Sequence, residues 1–137
     1  MDESLTGYLE IEHTADWALT VWAPDLTGLL EQAARGMDTL SGVVLKSAPR
    51  VTRELSITGY DPEHLLVKFL TDILFIGEEE GLGFDTFELS IQDLHLQAQI
   101  SGAPIASQQK EIKAVTYHDL RIESNPRGLE TTIVFDV

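Results

Sequence analysis

The stretch PDLTGLLEQAARGMDTLSG, residues 24–42, decides the fold class. Leu26, Leu29, Leu30, Ala33, Ala34, Met37 and Leu40 fall at offsets 0, 3, 4, 7, 8, 11 and 14, the stripe of an amphipathic helix. Asp25 or Thr27 can cap its start by accepting a bond from a free backbone N–H. Gly42 suits its end, because glycine adopts the left-handed backbone that closes a helix. Glu31 and Arg35 lie one turn apart on the wet face. Such a helix must lay its stripe on something, and the flanking sequence is rich in strands.

Upstream, Tyr8 to His13 alternates as a half-buried strand does, and Ala18 to Trp22 reads as a second strand. Downstream, residues 43–50 read as a loop and Arg53 to Thr58 as a strand. Asp61-Pro62 opens a second helix, with Asp as cap and Pro preorganised at the first turn. Its broad apolar face runs from Leu65 to Ile76, and it should end between Gly77 and Gly81. Glu78, Glu79 and Glu80 then sit at the end of the dipole that disfavours negative charge, and read as solvated acids. Beyond Gly83, Phe84 to Ile91 and Leu94 to Ile100 read as strands, residues 101–109 as a loop, and Ile112–His118 and Leu120–Glu123 as extended segments. Asn125 to Gly128 makes a turn before a last strand, Leu129 to Val137. The order β-β-α-β-α-β-β-β-β predicts an α+β fold: one domain over residues 1–137, with a largely antiparallel sheet packed against two helices.

Composition narrows the function. The 137 residues carry 9 Lys and Arg against 23 Asp and Glu, a formal charge of −14. A surface this acidic repels phosphate backbones, so direct nucleic-acid binding is not expected, and neither is adhesion to anionic membranes. An apolar fraction of 43% is ample for a packed core. The absence of cysteine excludes disulfides, thiolate metal sites and cysteine nucleophiles. The acidic start, Met1-Asp2-Glu3-Ser4, lacks the basic and apolar regions of a signal peptide, and no apolar run approaches the roughly 20 residues that span a bilayer. A cytoplasmic location is expected.

Three polar clusters could carry chemistry. Glu12-His13-Thr14-Ala15-Asp16 crowds carboxylates and an imidazole at a strand end, which suits a hard cation; an Asx-type turn explains it equally well. Lys113-Ala114-Val115-Thr116-Tyr117-His118 places Lys, Tyr and His in one short segment, fit for proton transfer or phosphate binding, or simply for a half-buried strand. Asp136 precedes the α-carboxylate of Val137, so two oxygen groups share one end. Beside Asp16 they would make an anionic site for a cation. Phosphate-binding glycine loops and the usual zinc and serine-hydrolase motifs are missing.

Taken together, these clusters resemble the archease family. The resemblance rests on Glu12-His13-Thr14-Ala15-Asp16, the helix containing Ala33-Ala34-Arg35-Gly36-Met37, Glu79-Glu80-Gly81-Leu82, the segment Lys113 to His118, and the ending Phe135-Asp136-Val137. It spans essentially the whole chain. Trp17 and Ala18 depart mildly from the small or aliphatic residues frequent there. The resemblance implies an α+β domain related to the strand–helix–strand–strand module. It also implies an accessory, non-catalytic protein of an RtcB-type RNA ligase in tRNA splicing or RNA repair. Archeases promote guanylylation of the ligase's active-site histidine and its multiple turnover, and have been regarded as chaperone-like.

Carried over position by position, the resemblance makes Asp16, Lys113 and Asp136 the ligase-activating residues, with His13 and His118 in supporting places. Asp16, Asp136 and the α-carboxylate of Val137 would hold a divalent metal ion, Ca2+ first, with Mg2+ or Mn2+ as alternatives. Two rival classes stand beside this expectation: a chaperone-like protein-binding module, and a stand-alone metal-dependent hydrolase, which lacks an evident base–nucleophile pair.

Overall fold

Two aspartate caps start both helices of the computed structural model, which describes residues 5–12 and 16–137. The Asp25 side chain accepts from the Gly28 N–H at 2.8 Å and opens α1 (Leu26–Ser41); Asp61 does the same for His64 at 2.8 Å and opens α2 (Pro62–Glu80). Each helix ends on a glycine in the left-handed region, Gly42 at φ 64° and Gly81 at φ 68°. Capping and stop residues thus sit where the sequence pattern puts them. No helix of the described residues is long and apolar enough to cross a membrane.

The strands are β1 (Gly7–Glu12), β2 (Asp16–Ala23), β3 (Val44–Leu45), β4 (Val51–Thr58), β5 (Leu82–Gln92), β6 (His95–Ser107), β7 (Ala114–Val115), β8 (Glu123–Asn125) and β9 (Gly128–Asp136). All pairings are antiparallel, and they divide into two sheets. In the first, β1 pairs with β2 and β2 with β9, while β7 and β8 pair with the other side of β9. In the second, β6 is central: β3 and β4 share one side of it and β5 takes the other.

Both helices join the two sheets through one continuous core, in which Leu19, Leu29, Leu30, Leu65, Phe69, Leu96, Ile133 and Phe135 are all but inaccessible to solvent. α1 packs on β2 and β5, and α2 on β5, β4 and β7. The stripe of α1 can approach β2 closely because Gly36 faces Leu19: a Cβ there would lie 2.4 Å from a Leu19 methyl.

Several expected segments differ. Residues 43–50, read as a loop, contain β3, because Val44 and Leu45 pair with β6. Leu120–Glu123, read as extended, joins a strand only at Glu123, where β8 pairs with β9. Residues 101–109, read as a loop from Gly102, Pro104 and the glutamines, are mostly strand, since β6 continues to Ser107. Those breakers serve packing instead. A Cβ on Gly102 would fall 1.7 Å from the Gly83 carbonyl oxygen, so only glycine lets β5 and β6 approach there. Pro104, at the end of the β5 ladder, needs no N–H and accepts from the Lys46 N–H at 2.8 Å. Conversely, the extended segment expected over Ile112–His118 shrinks to Ala114–Val115. The chain then turns, with the Leu120 N–H donating to the Tyr117 carbonyl at 3.0 Å and Asp119 at φ 51°.

Candidate functional site

The candidate residues gather where β2, β9 and β7 end together. Residue alternation buries Ile133 and Phe135 of β9 in the core and leaves Asp136 exposed at the strand's last position. The ladder sets Asp16 directly opposite Asp136 on one side, and Ala114 opposite it on the other. The Lys113 N–H donates to the Asp136 carbonyl at 2.8 Å. The long-range pairing therefore brings Asp16, Lys113 and Asp136, which lie far apart in sequence, to one sheet end. The same register is locked further along the strands by a hydroxyl–hydroxyl bond between Thr20 and Thr132 at 2.8 Å.

β7 is anchored rather than free. Val115 is buried, and both the N–H and the hydroxyl of Thr116 donate to the Val134 carbonyl at 3.0 Å. Lys113 is exposed, and among the described residues neither its ammonium nor the Asp136 carboxylate forms an ion pair. Val137 is half-buried and packs against the core, which seats its main chain next to Asp136.

His118 stands apart from this arrangement. Its N–H donates to the Thr116 hydroxyl at 3.2 Å, and its Nε2 lies 3.3 Å from an Asp119 carboxylate oxygen, both side chains well exposed. His13 lies outside the described residues. The other two histidines have structural partners: His64 stacks on Tyr60 with ring centroids 4.3 Å apart, and His95 bonds to Ser56 and Thr58. Among the described residues, no three His, Asp or Glu side chains cluster to hold a metal.

Sequence reasoning passed over a second cation near this sheet end. The Lys110 ammonium sits 4.0 Å from the centre of the Trp17 ring, a cation–π contact beside the Asp16 position. Only the neighbouring places of Asp16 and Trp17, and of Lys110 and Lys113, could have hinted at it. Of the acids at the end of α2, Glu80 gains a partner: Arg53 of β4 forms a two-pronged pair with it, Nε donating to Oε2 at 3.0 Å and Nη2 donating to Oε1. The Arg53 guanidinium, mainly through these hydrogen bonds, holds the Glu80 carboxyl below its usual range.

Residues 8–137 match the profile of the archease protein family. The chain belongs to the archease family. It is 34% identical over 125 residues to the protein archease of Pyrococcus abyssi, covering 85% of this chain and 88% of that one. Against the protein archease of Sulfurisphaera tokodaii it is 30% identical over 132 residues, covering 92% and 95%. The fold agrees. The crystal structure of a Thermotoga maritima archease, described as a possible chaperone, superposes with a TM-score of 0.67 at 27% identity, over 93% of this chain and 94% of that one. The solution structure of Methanobacterium thermoautotrophicum protein 1598 superposes at 0.69 with 22% identity, over 96% and 99%, and bears on the fold alone. The archease domain is thus an α+β domain with two helices on antiparallel sheets.

Proposed function

We propose that this archease-family chain is a non-catalytic activator of an RtcB-type RNA ligase, promoting guanylylation of the ligase's active-site histidine and its repeated turnover. The observation that carries the reading is the register that sets Asp16 against Asp136, with the Lys113 backbone bonded to Asp136. Opposed positions of antiparallel strands hold their Cβ atoms about 5 Å apart, and like charges placed there repel. Two aspartates at such a position call for a counter-charge.

The donor set fits a hard divalent ion, because it offers oxygen ligands alone. Asp16, Asp136 and the α-carboxylate of Val137 would hold it, and Ca2+ suits such a set, with Mg2+ or Mn2+ as alternatives. When bound, the ion would supply charge neutralisation at a phosphate. Lys113 would present its exposed ammonium to the phosphates of the ligase's guanylyl donor, GTP, and the neighbouring β7, anchored on β9, would keep it in place. An acidic chain of charge −14 repels RNA itself and suits docking on a basic RNA-binding face.

The test pairs the purified chain with its cognate ligase, GTP and metal. Guanylylation and the number of turnovers per ligase should both rise on addition of the chain, and should not rise with Asp136→Ala. No stimulation by the unaltered chain overturns the reading. Phosphate release by the chain alone would favour a hydrolase, and suppression of aggregation of unrelated proteins would favour a chaperone.

A further inference from the structure

A cleft of about 380 Å3 lies between the C-terminal halves of α1 and α2, closed at its back by the start of β5 and the segment 105–112. Its floor is apolar, with Met37, Ile73 and Phe84 buried beneath it. Its charged lining is one-sided: Asp38, Glu78 and Glu111 contribute carboxylates, and among the described residues no Lys or Arg lines it.

Two further observations give the cleft its sign. Both helices end at it, since Ser41 and Gly81 are among its walls, and the last carbonyls of a helix carry partial negative charge. Neither helix has a basic residue of its own in its last turn. Arg53 engages Glu80 at the end of α2, and two backbone N–H groups meet the Ser41 carbonyl. Asp38 is half-buried, and among the described residues neither its carboxylate nor that of Glu111 forms an ion pair. Burial, helped by the nearby Asp85 carboxylate, raises it to about 6. Asp85 cannot be relieved by the same cation, being already held by Arg50. An apolar trough that ends in unpaired negative charge complements a group with an apolar stem and a cationic head.

We infer that this cleft receives an arginine or lysine side chain from a protein partner, its methylenes on the Met37–Phe84 floor and its head between Asp38 and Glu111. A volume of about 380 Å3 exceeds what a lone side-chain head fills, and so accommodates a side chain together with part of the backbone that carries it. The cleft's wall also runs into the candidate site: Ile112 lines the cleft, and the next residue is Lys113. The Gln109 and Lys110 N–H groups tie this wall to the Ser41 carbonyl at 3.1 and 3.0 Å. A docked side chain would therefore steady the strap that carries Lys113. This inference rests on the reading of the chain as a protein-binding accessory factor, and its test measures binding with no ligase present.

The probe is the peptide acetyl-Leu-Arg-Leu-amide, titrated into the isotopically labelled chain and followed by amide NMR shifts. Saturable shifts are expected at Asp38, Gly77, Gly81 and Glu111. Replacing arginine by its uncharged isostere citrulline should weaken binding about tenfold, the loss of a charge-assisted hydrogen bond. The double variant Asp38→Asn/Glu111→Gln should show the same loss, while Glu10→Gln/Glu123→Gln, of equal charge change, should not. Equal binding of arginine and citrulline peptides, or shifts mapping elsewhere, overturns the inference. So does butylguanidinium binding as tightly as the peptide, which would make this a small-cation site. Dimerisation of the free chain through this cleft, seen by sedimentation, would assign it to a second copy instead.

Discussion

Replacing Asp38 by asparagine should stabilise this protein above about pH 6 and leave it nearly unchanged near pH 4. The carboxyl is raised from 3.8 to about 6, first by burial and then by Asp85. Glu78 of α2 and Glu111 of the segment 105–112 line the same cleft, both negative, and the cation beside Asp85, Arg50, is engaged by that carboxylate. Because the folded chain holds this proton more tightly than the unfolded chain, stability from the group is fully present below about 3.8. It is lost as pH rises through about 6. A rise of about two units corresponds to at most about 3 kcal/mol, at about 1.4 kcal/mol per unit. Asp38 keeps part of its surface in water, and solvent screening reduces this to about 1–1.5 kcal/mol. Asparagine keeps the shape without the charge. Urea denaturation of both chains at a series of pH values from 4 to 8 measures the difference, in which the titration of all other acids cancels. The expected curve starts small at pH 4, rises between about pH 4 and 6, and reaches a plateau in favour of asparagine above that. A difference that does not vary with pH, or asparagine being the less stable at pH 7.5, would refute the reasoning.

Further outcomes concern the site and the fold. Asp136→Ala should abolish ligase stimulation while shifting the urea midpoint little, since the side chain is exposed at a strand end; Asp16→Ala should likewise abolish stimulation, and a normal circular-dichroism spectrum checks the fold in each. A C-terminal extension beyond Val137 converts the α-carboxylate to an amide and should weaken Ca2+ binding, read by calorimetry; unchanged affinity removes that group from the ligand set. Phe135→Ala should cost about 3–5 kcal/mol by chemical denaturation, because the ring is wholly buried beside the site. Gly102→Ala should cost more than about 3 kcal/mol or prevent folding, because its methyl would meet the Gly83 backbone rather than a movable side chain.

Local chemistry accounts for the parts of the fold that sequence made legible. The stripe from Leu26 to Leu40, the Asp25 and Asp61 caps and the stops at Gly42 and Gly81 depend on contacts within a few residues, so the helices could be placed from the chain alone. The Pro126-Arg127 turn between β8 and β9 is local in the same way. Residues 101–109 misled because Gly102 and Pro104 break isolated strands, whereas here Gly102 makes room for Gly83 and Pro104 needs no donor. The segment Lys113–His118 misled in the opposite sense: its alternation is that of a strand, yet Thr116 and Asp119 turn it off the sheet after Val115.

Among candidate residues, the sequence by itself determined the chemistry on offer: Asp16, Lys113 and Asp136 as polar groups outside any apolar stripe, in a chain of formal charge −14. The family followed from the same motifs. Tertiary structure alone decided which of these groups meet. The pairing of β2 and β7 with β9 aligns Asp16, Asp136 and the Lys113 backbone, and leaves His118 with Asp119 instead. It alone also brought two helix ends and the Asp38 carboxylate around one apolar cleft. Register and helix packing are set by long-range burial, and residues so far apart along the chain carry no local signal of their meeting.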